Sequence, residues 1–321
     1  MTPFLLNAPI KDYIWGGTKL RELFGKESDL ERLAESWELS CHPDGECIIA
    51  SGEFSGMKLS EFVSLHPEAV STTFRSGDSF PVLVKLIDAK NDLSVQVHPD
   101  DEYAHKYEGD NGKTEMWYII DAEEGAELVY GFKENITIEE FRKAIEENTL
   151  MDKVNKVPVK KGDVFFIKPG TLHAIGKGIL IAEIQQSSNV TYRVYDYGRL
   201  GTDGKPRPLH IEKALEVTSL TPAEKHILPE PFGQGDELVI QNLADCEFFR
   251  VFSFDMKEED GELWFNEEYR TFQHILVIDG SCTLTCGGTM TQLTKGSSLF
   301  VPAGTEPFTI TGKCSMIITA V

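Results

Sequence analysis

The chain is predicted to be mainly β, its strands packed as a sandwich or barrel with a few short helices between them. Three observations carry that prediction. Short apolar runs bounded by Gly, Pro and Asp turns dominate the pattern. Few segments have helical spacing. The third is an internal echo: "KGDVFFIKPGTLHAI" 161–175 and "KGSSLFVPAGTEPFT" 295–309 align without a gap. Both hold Lys-Gly, an apolar strand and a turn ending in Gly-Thr. "EMWYIID" 115–121 and "QHILVID" 273–279 line up in the same order upstream. Repeats spaced by roughly one small domain point to a duplicated β-unit.

Taken in order, "TKLRELFG" 18–25 and "LSEFVSL" 59–65 have helical apolar spacing, and "FPVLVKLID" 80–88 reads as a buried strand. "DLSVQVHPDD" 92–101 is a strand halted at His98-Pro99, and "DDEYAHKYEG" 100–109 a helical turn over its mouth. "TIEEFRKAIEEN" 137–148 is a helix: Thr137 and Glu140 form a capping box, and Ile138, Phe141 and Ile145 share one stripe. A helix at "IEKALEV" 211–217 precedes a Pro-rich linker, 220–235. In the echo, Glu115 and His173 of the first copy become Gln273 and Pro307 in the second. One working site and one structural partner are therefore expected.

At 321 residues the chain is long enough for two domains, with 41% apolar and 26% charged residues. The longest apolar stretches, such as "VFFI" 164–167, are far too short to cross a membrane. The start of the chain lacks a basic, then apolar, export signal. Six cysteines without a CxxC pair read as free thiols in a reducing cytoplasm. A net charge of −21 argues against nucleic acid or an anionic membrane as partner, and no obligate protein partner is inferred. Lys or Arg residues in a site stand out against that background.

Gln96, His98, Glu115 and His173 form the chemical core of the reading. Gln96 and His98 sit two apart on a strand and so point to one face. Glu115 opens the strand "MWYII", and His173 follows the Pro169-Gly170 turn. Each alone has a plain structural reading, as a hydrogen-bonded strand residue or an edge charge. Together, two imidazoles, a carboxylate and an amide oxygen suit Zn²⁺, with Fe²⁺, Mn²⁺ or Co²⁺ as geometric alternatives.

The run at 162–173 resembles the second motif of cupin barrels. More narrowly, "LSVQVHPDD", "GKTEMWYII", "PGTLHAI" and "EIQQSSNVTYRVYDYGR" resemble the short form of type I mannose-6-phosphate isomerases, from Trp15 to about Leu209. The remainder matches only as a generic metal-free cupin. The resemblance implies two cupin-like jelly-roll β-barrels with a small helical insertion, about 137–150 and 209–218. It also implies a catalytic domain over 1–235 and a metal-free domain over 236–321. Gln96, His98, Glu115 and His173 fall on that family's zinc ligands, one ion per chain.

The implied reaction is interconversion of mannose 6-phosphate and fructose 6-phosphate through an enediol, which needs carbonyl polarisation, a proton shuttle and a hold on the phosphate. Arg193 falls on an essential arginine of the family near the reacting carbons; read alone, it could instead pair with Asp196 or Glu183. Lys113 is two residues from Glu115, placed to shuttle a proton if a nearby metal lowers its pKa, or else a phosphate contact or turn residue. Glu183 shares a face with Ile179, Ile181 and Gln185. That predicts a raised pKa and a base role, or a salt bridge to Arg193. Lys85 interrupts a buried strand, unless it snorkels to water; with Ser94 and Trp15 it resembles the family's substrate pocket. Where relatives are expected to carry an Asp, this chain has Asn189, which leaves His98, Lys113 and Glu183 as proton-transfer candidates. Two rival readings are a cupin metal oxygenase and a non-catalytic, metal-stabilised sugar-binding module. The first usually has more His, and the second needs no converging Arg193, Lys113 and Lys85.

Overall fold

A computed structural model describes residues 1–201, 204–225, 227–234, 237–266 and 270–321. Three antiparallel sheets of ten, six and five strands carry the chain. The six-stranded sheet runs Val164–Ile167, Glu115–Ala122, Ile179–Gln186, Val82–Ala89, Glu35–Leu39, Ile10–Lys11. Val82–Ala89 and Ile179–Gln186 are buried at every position, and alternation explains why. Ile87, Trp117, Ile119, Ile179 and Ile181 face one way, into a core shared with Leu128, Tyr130 and Ile175. Leu86, Met116, Leu180 and Ile184 face the other way, into a core shared with Leu243, Val251, Leu276 and Phe300. A sheet covered on both faces has continuous apolar strands.

The five-stranded sheet runs Tyr192–Tyr195, Val95–Val97, His173–Ala174, Glu127–Phe132, Val154–Pro158. Its outer face, including Val95, Val97 and Val194, is covered by Phe141, Ala144 and Ile145 of the helix Ile138–Glu146 and by Ala214 and Leu215 of Ile211–Val217. The capping box forms: Glu140 N–H donates to Thr137 Oγ1 at 3.1 Å, and Thr137 N–H to Glu140 Oε2 at 2.8 Å. Pro99 ends the Gln96 strand, and Asp100 then caps the helix Asp101–Tyr107 by accepting from Tyr103 N–H at 2.9 Å.

The ten-stranded sheet wraps its own core of Ile275, Val277, Leu284, Leu299, Ile310 and Met316. It also takes in Phe4–Asn7, paired with Ser298–Val301, and Ile48–Ile49. The first strand of the chain therefore belongs by hydrogen bonding to the last sheet. The division expected at 235/236 lies outside the described residues. No pairing among the described residues closes a sheet on itself, so the mainly β expectation stands while the two barrels are here open sheets packed face to face. Both halves of the echo form the same pairing, Glu115 opposite Ile167 and Gln273 opposite Val301. No helix among the described residues is long and apolar enough to cross a membrane, and all six cysteines are free.

Candidate metal centre and substrate cavity

The inner faces of the six- and five-stranded sheets meet at one end around a cluster of polar side chains. In the five-stranded sheet, Gln96 lies directly opposite both His173 and Arg193. Directly opposed residues share a face, so these three and His98 point inward together. In the six-stranded sheet, Glu183 lies opposite both Lys85 and Trp117.

His98 and His173 are held from behind. His98 Nδ1 is 2.7 Å from Val190 O, and His173 Nδ1 is 2.8 Å from Thr171 O. A carbonyl only accepts, so each Nδ1 carries the hydrogen and each Nε2 presents its lone pair, that of His98 with Lys113 Nζ 3.4 Å away. The two Nε2 atoms are 3.2 Å apart. Glu115 Oε1 is 3.1 Å from that of His173 and 3.6 Å from that of His98. Three acceptors thus face one another in the interior, and Glu115 Oε1 has no hydrogen-bond donor. A divalent cation resolves that conflict, so the donor set fits a metal. Burial, with Lys113 and the neighbouring ring, holds His98 well below its usual pKa; burial brings His173 down to about 4. Neutral imidazoles are the form that binds metal. Gln96, opposite His173, lies between this cluster and the adjoining cavity that it lines.

Charged side chains of alternating sign form the floor. Lys113 Nζ is 2.7 Å from Glu115 Oε2 and 3.6 Å from Glu183 Oε1. Lys85 Nζ is 3.2 Å from Glu183 Oε1, 3.9 Å from Glu35 Oε2 and 5.0 Å from the centre of the Trp37 ring. Lys85 is only 4% exposed, which excludes the snorkelling alternative. Glu183 takes a further hydrogen bond from Trp117 Nε1 at 3.0 Å. Its expected pKa is corrected here. Burial does push the carboxyl up, but Lys113 and Lys85 together outweigh it and hold Glu183 below the usual range. Glu115 is the carboxyl shifted upward, by burial first. Glu183 binds the two lysines and not Arg193.

Arg193 stands at the cavity wall. Asp196, its other alternative partner, is engaged by Arg199 at 2.6 Å and Arg207 at 2.6 and 2.8 Å. Arg193 Nη1 donates to Pro208 O at 3.0 Å, and its Nε is buried without an acceptor. Among the described residues it has no carboxylate within ion-pair distance. Trp15, Lys85, Ser94, Gln96, Lys113, Glu183 and Arg193, all singled out in the sequence, line one cavity of about 300 Å³, the low end for small-ligand sites. Asn189, noted for standing where an Asp is expected, is on the same walls, and sequence reasoning missed Tyr13, Glu35, Thr191 and Arg207 there. Glu35 sits in the mixed run "AESWEL" 34–39, accepts from Trp37 Nε1 at 2.7 Å and lies 3.9 Å from Lys85 Nζ, and nothing local marks it out. A larger cavity of about 690 Å³, bordered by His42, Phe80 and His105, contains none of the candidate ligands, so volume does not locate the chemistry.

Comparisons with known proteins agree with this arrangement. The family description "Phosphomannose isomerase type I, catalytic domain" matches residues 4–134, and "Mannose-6-phosphate isomerase, cupin domain" matches 239–321. A probable mannose-6-phosphate isomerase of Bacillus subtilis, GmuF, is 40% identical over 99% of this chain and 98% of its own. A mannose-6-phosphate isomerase of Streptococcus mutans is 37% identical over 98% and 97%. The crystal structure of the mannose 6-phosphate isomerase from Bacillus subtilis superposes with a TM-score of 0.93 at 37% identity, covering both chains completely.

Proposed function

The chain belongs to the type I phosphomannose isomerase family, and from that premise we propose that it is a Zn²⁺-dependent isomerase interconverting mannose 6-phosphate and fructose 6-phosphate through an enediol. The observation that carries the reading is a buried His98–Glu115–His173 cluster joined, through Gln96 opposite His173 and Lys113 on Glu115, to a cavity walled by an arginine that has no carboxylate within ion-pair distance among the described residues. The kinship favours reading the stacked sheets as opened jelly rolls. Six free thiols fit a cytoplasmic enzyme.

Gln96, His98, Glu115 and His173 would hold the ion, one per chain. When bound there, Zn²⁺ supplies Lewis-acid polarisation of a substrate oxygen. The chain's own groups do the rest. Among the proton-transfer candidates, His98 commits Nε2 to the metal cluster and Glu183 is pinned by two lysines. Lys113, at the cavity surface between Glu115 and Glu183, is the group left to move the proton between C1 and C2. Glu183 keeps Lys113 and Lys85 aimed at the sugar. Arg193 holds developing negative charge or the phosphate, with Arg207 beside it on the wall. Trp15, stacked on Tyr13 at 5.4 Å, and Ser94 close the sugar's apolar and polar sides.

The test is turnover of mannose 6-phosphate by the purified protein before chelation, after it, and after Zn²⁺ is restored. Activity lost with the chelator and regained with zinc is expected. No turnover in the zinc-loaded protein would sink the isomerase reading and leave the sugar-binding module.

A further inference from the structure

Asn189 is the cavity residue whose chemistry no motif explains. Asn189, Thr191 and Arg193 alternate along the chain and all line the cavity, while Tyr192 and Val194 turn to the opposite core. Its carboxamide has a donor end and an acceptor end. Nδ2 lies 2.7 Å from Asp44 Oδ2, across 145 residues of sequence. A carboxylate only accepts, so the nitrogen faces Asp44 and Oδ1 faces away. No described residue donates to that Oδ1.

Side chain and backbone of Asn189 are held by different loops. Asp44 lies in the turn after Glu35–Leu39; its N–H donates to His42 Nδ1 at 3.1 Å, and its carbonyl accepts from Lys11 Nζ. The Asn189 backbone N–H donates instead to Asp110 Oδ2 at 3.3 Å, and neighbouring Ser188 Oγ donates to Asn111 O at 2.7 Å. Removing the Asp44 carboxylate therefore frees the carboxamide to turn without releasing the segment that carries it.

We infer that Asp44 is a positioning residue: it turns Asn189 so that Oδ1 faces the cavity and accepts a hydrogen bond from a hydroxyl of the sugar. This rests on the isomerase reading above. The acceptor suits a polyhydroxylated substrate and adds nothing for its phosphate. Asn189 is exposed at the cavity mouth, away from the buried His98–Glu115–His173 cluster. Its bond is therefore made equally in ground and transition states, and its loss raises KM while leaving kcat in place.

The experiment measures kcat, KM and bound zinc for the wild type, Asn189→Ala, Asp44→Ala, Asp44→Asn and the double alanine variant. A neutral hydrogen bond is worth about 0.5–1.5 kcal/mol, so KM is expected to rise about 2- to 12-fold in Asn189→Ala, with kcat nearly unchanged. Asp44→Ala raises KM by no more than that. The double variant is no worse than Asn189→Ala alone, because Asp44 acts only through Asn189. Asp44→Asn, whose amide oxygen still accepts from Nδ2, recovers most of the loss. An unchanged KM in Asp44→Ala, or multiplying effects in the double variant, overturns the inference with the isomerase reading intact. A fall in kcat together with lost zinc also overturns it, since that marks a structural role. A zinc-loaded wild type without turnover overturns both.

Discussion

The strand pair that carries Glu115 and the one that carries Gln273 are joined in the same register, yet one borders a cluster of potential metal ligands and the other an apolar core. Beyond Glu115 the inward positions are Trp117 and Ile119; beyond Gln273 they are Ile275 and Val277. The scaffolds diverge at a few polar positions. Glu115 becomes a glutamine whose Oε1 is buried without a donor, and His173 becomes the exposed Pro307. Even the histidine beside Gln273 is structural. His274 Nε2 meets Ser298 Oγ at 2.8 Å, and Ser298 donates onward to Glu38 O at 2.6 Å. A strand register is thus a frame that does not determine chemistry; the chemistry depends on whether acceptors converge without protons to share.

The largest expected effect breaks that asymmetry. His173→Ala removes one of the three converging acceptors, and metal analysis should show zinc lost. Forfeiting several kcal/mol of transition-state stabilisation lowers kcat by about 10³-fold or more. Gln273→Leu, at the equivalent place in the other unit, removes a buried unsatisfied carbonyl and should leave both zinc and kcat as they are. Loss of activity in Gln273→Leu would show that the second unit is more than a scaffold.

Glu183→Gln ranks next. It strips the shared partner from Lys85 and Lys113, each only 4% exposed. Removing one member of a buried ion cluster costs about 3 kcal/mol, read as a lower urea midpoint, and kcat falls with it. A stable and active Glu183→Gln would mean that the lysines are held by Glu35 and Glu115 alone.

Acid stability separates the units by a different route. Burial, and then Lys26, depress His274 from its usual value near 6.5 to about 3. A base with a lowered folded pKa is protonated first in the unfolded chain. Its stability contribution is therefore full above pH 6.5 and declines as the pH falls toward 3. His274→Gln should flatten the fall in urea stability between pH 6.5 and 4 by about 1.4 kcal/mol per pH unit, one proton's worth. A slope unchanged by the substitution would place the acid sensitivity in His98 and His173 instead.

Much of this was legible from residues alone because it is local. The Thr137–Glu140 capping box, the Pro99 strand stop and the alternation that puts Gln96 and His98 on one face all act within a few positions. The duplicated strands were readable because each copy repeats the same short motif. What escaped was set by distant pairings. The pKa of Glu183 depends on Lys113, 70 residues away in number, as well as on Lys85, its cross-strand neighbour. Phe4–Asn7 joins the last sheet because Ser298–Val301 offers it an edge. Asp44 and Asn189 meet through two loops whose sequences say nothing of each other. Single-residue burial arguments fail where two or three charges share one interior, because the sign of the shift then rests on which partners the fold supplies.

The smallest effect concerns what covers each unit from outside. Helices Ile138–Glu146 and Ile211–Val217 seal the outer face of the five-stranded sheet, whereas Trp264 and Met290 stand 59% and 68% exposed on the ten-stranded one. Thr137→Ala removes an exposed cap worth about 1 kcal/mol, a fall in melting temperature of about 2 °C for a chain of this size. The helix packs on the side of the sheet opposite Gln96 and His173, so kcat and KM should not move. A change in either at full zinc occupancy would mean that the helical cover tunes the register of the strands beneath it. The outer layer of the first unit would then be part of its catalytic design, with no counterpart over the exposed Trp264 and Met290.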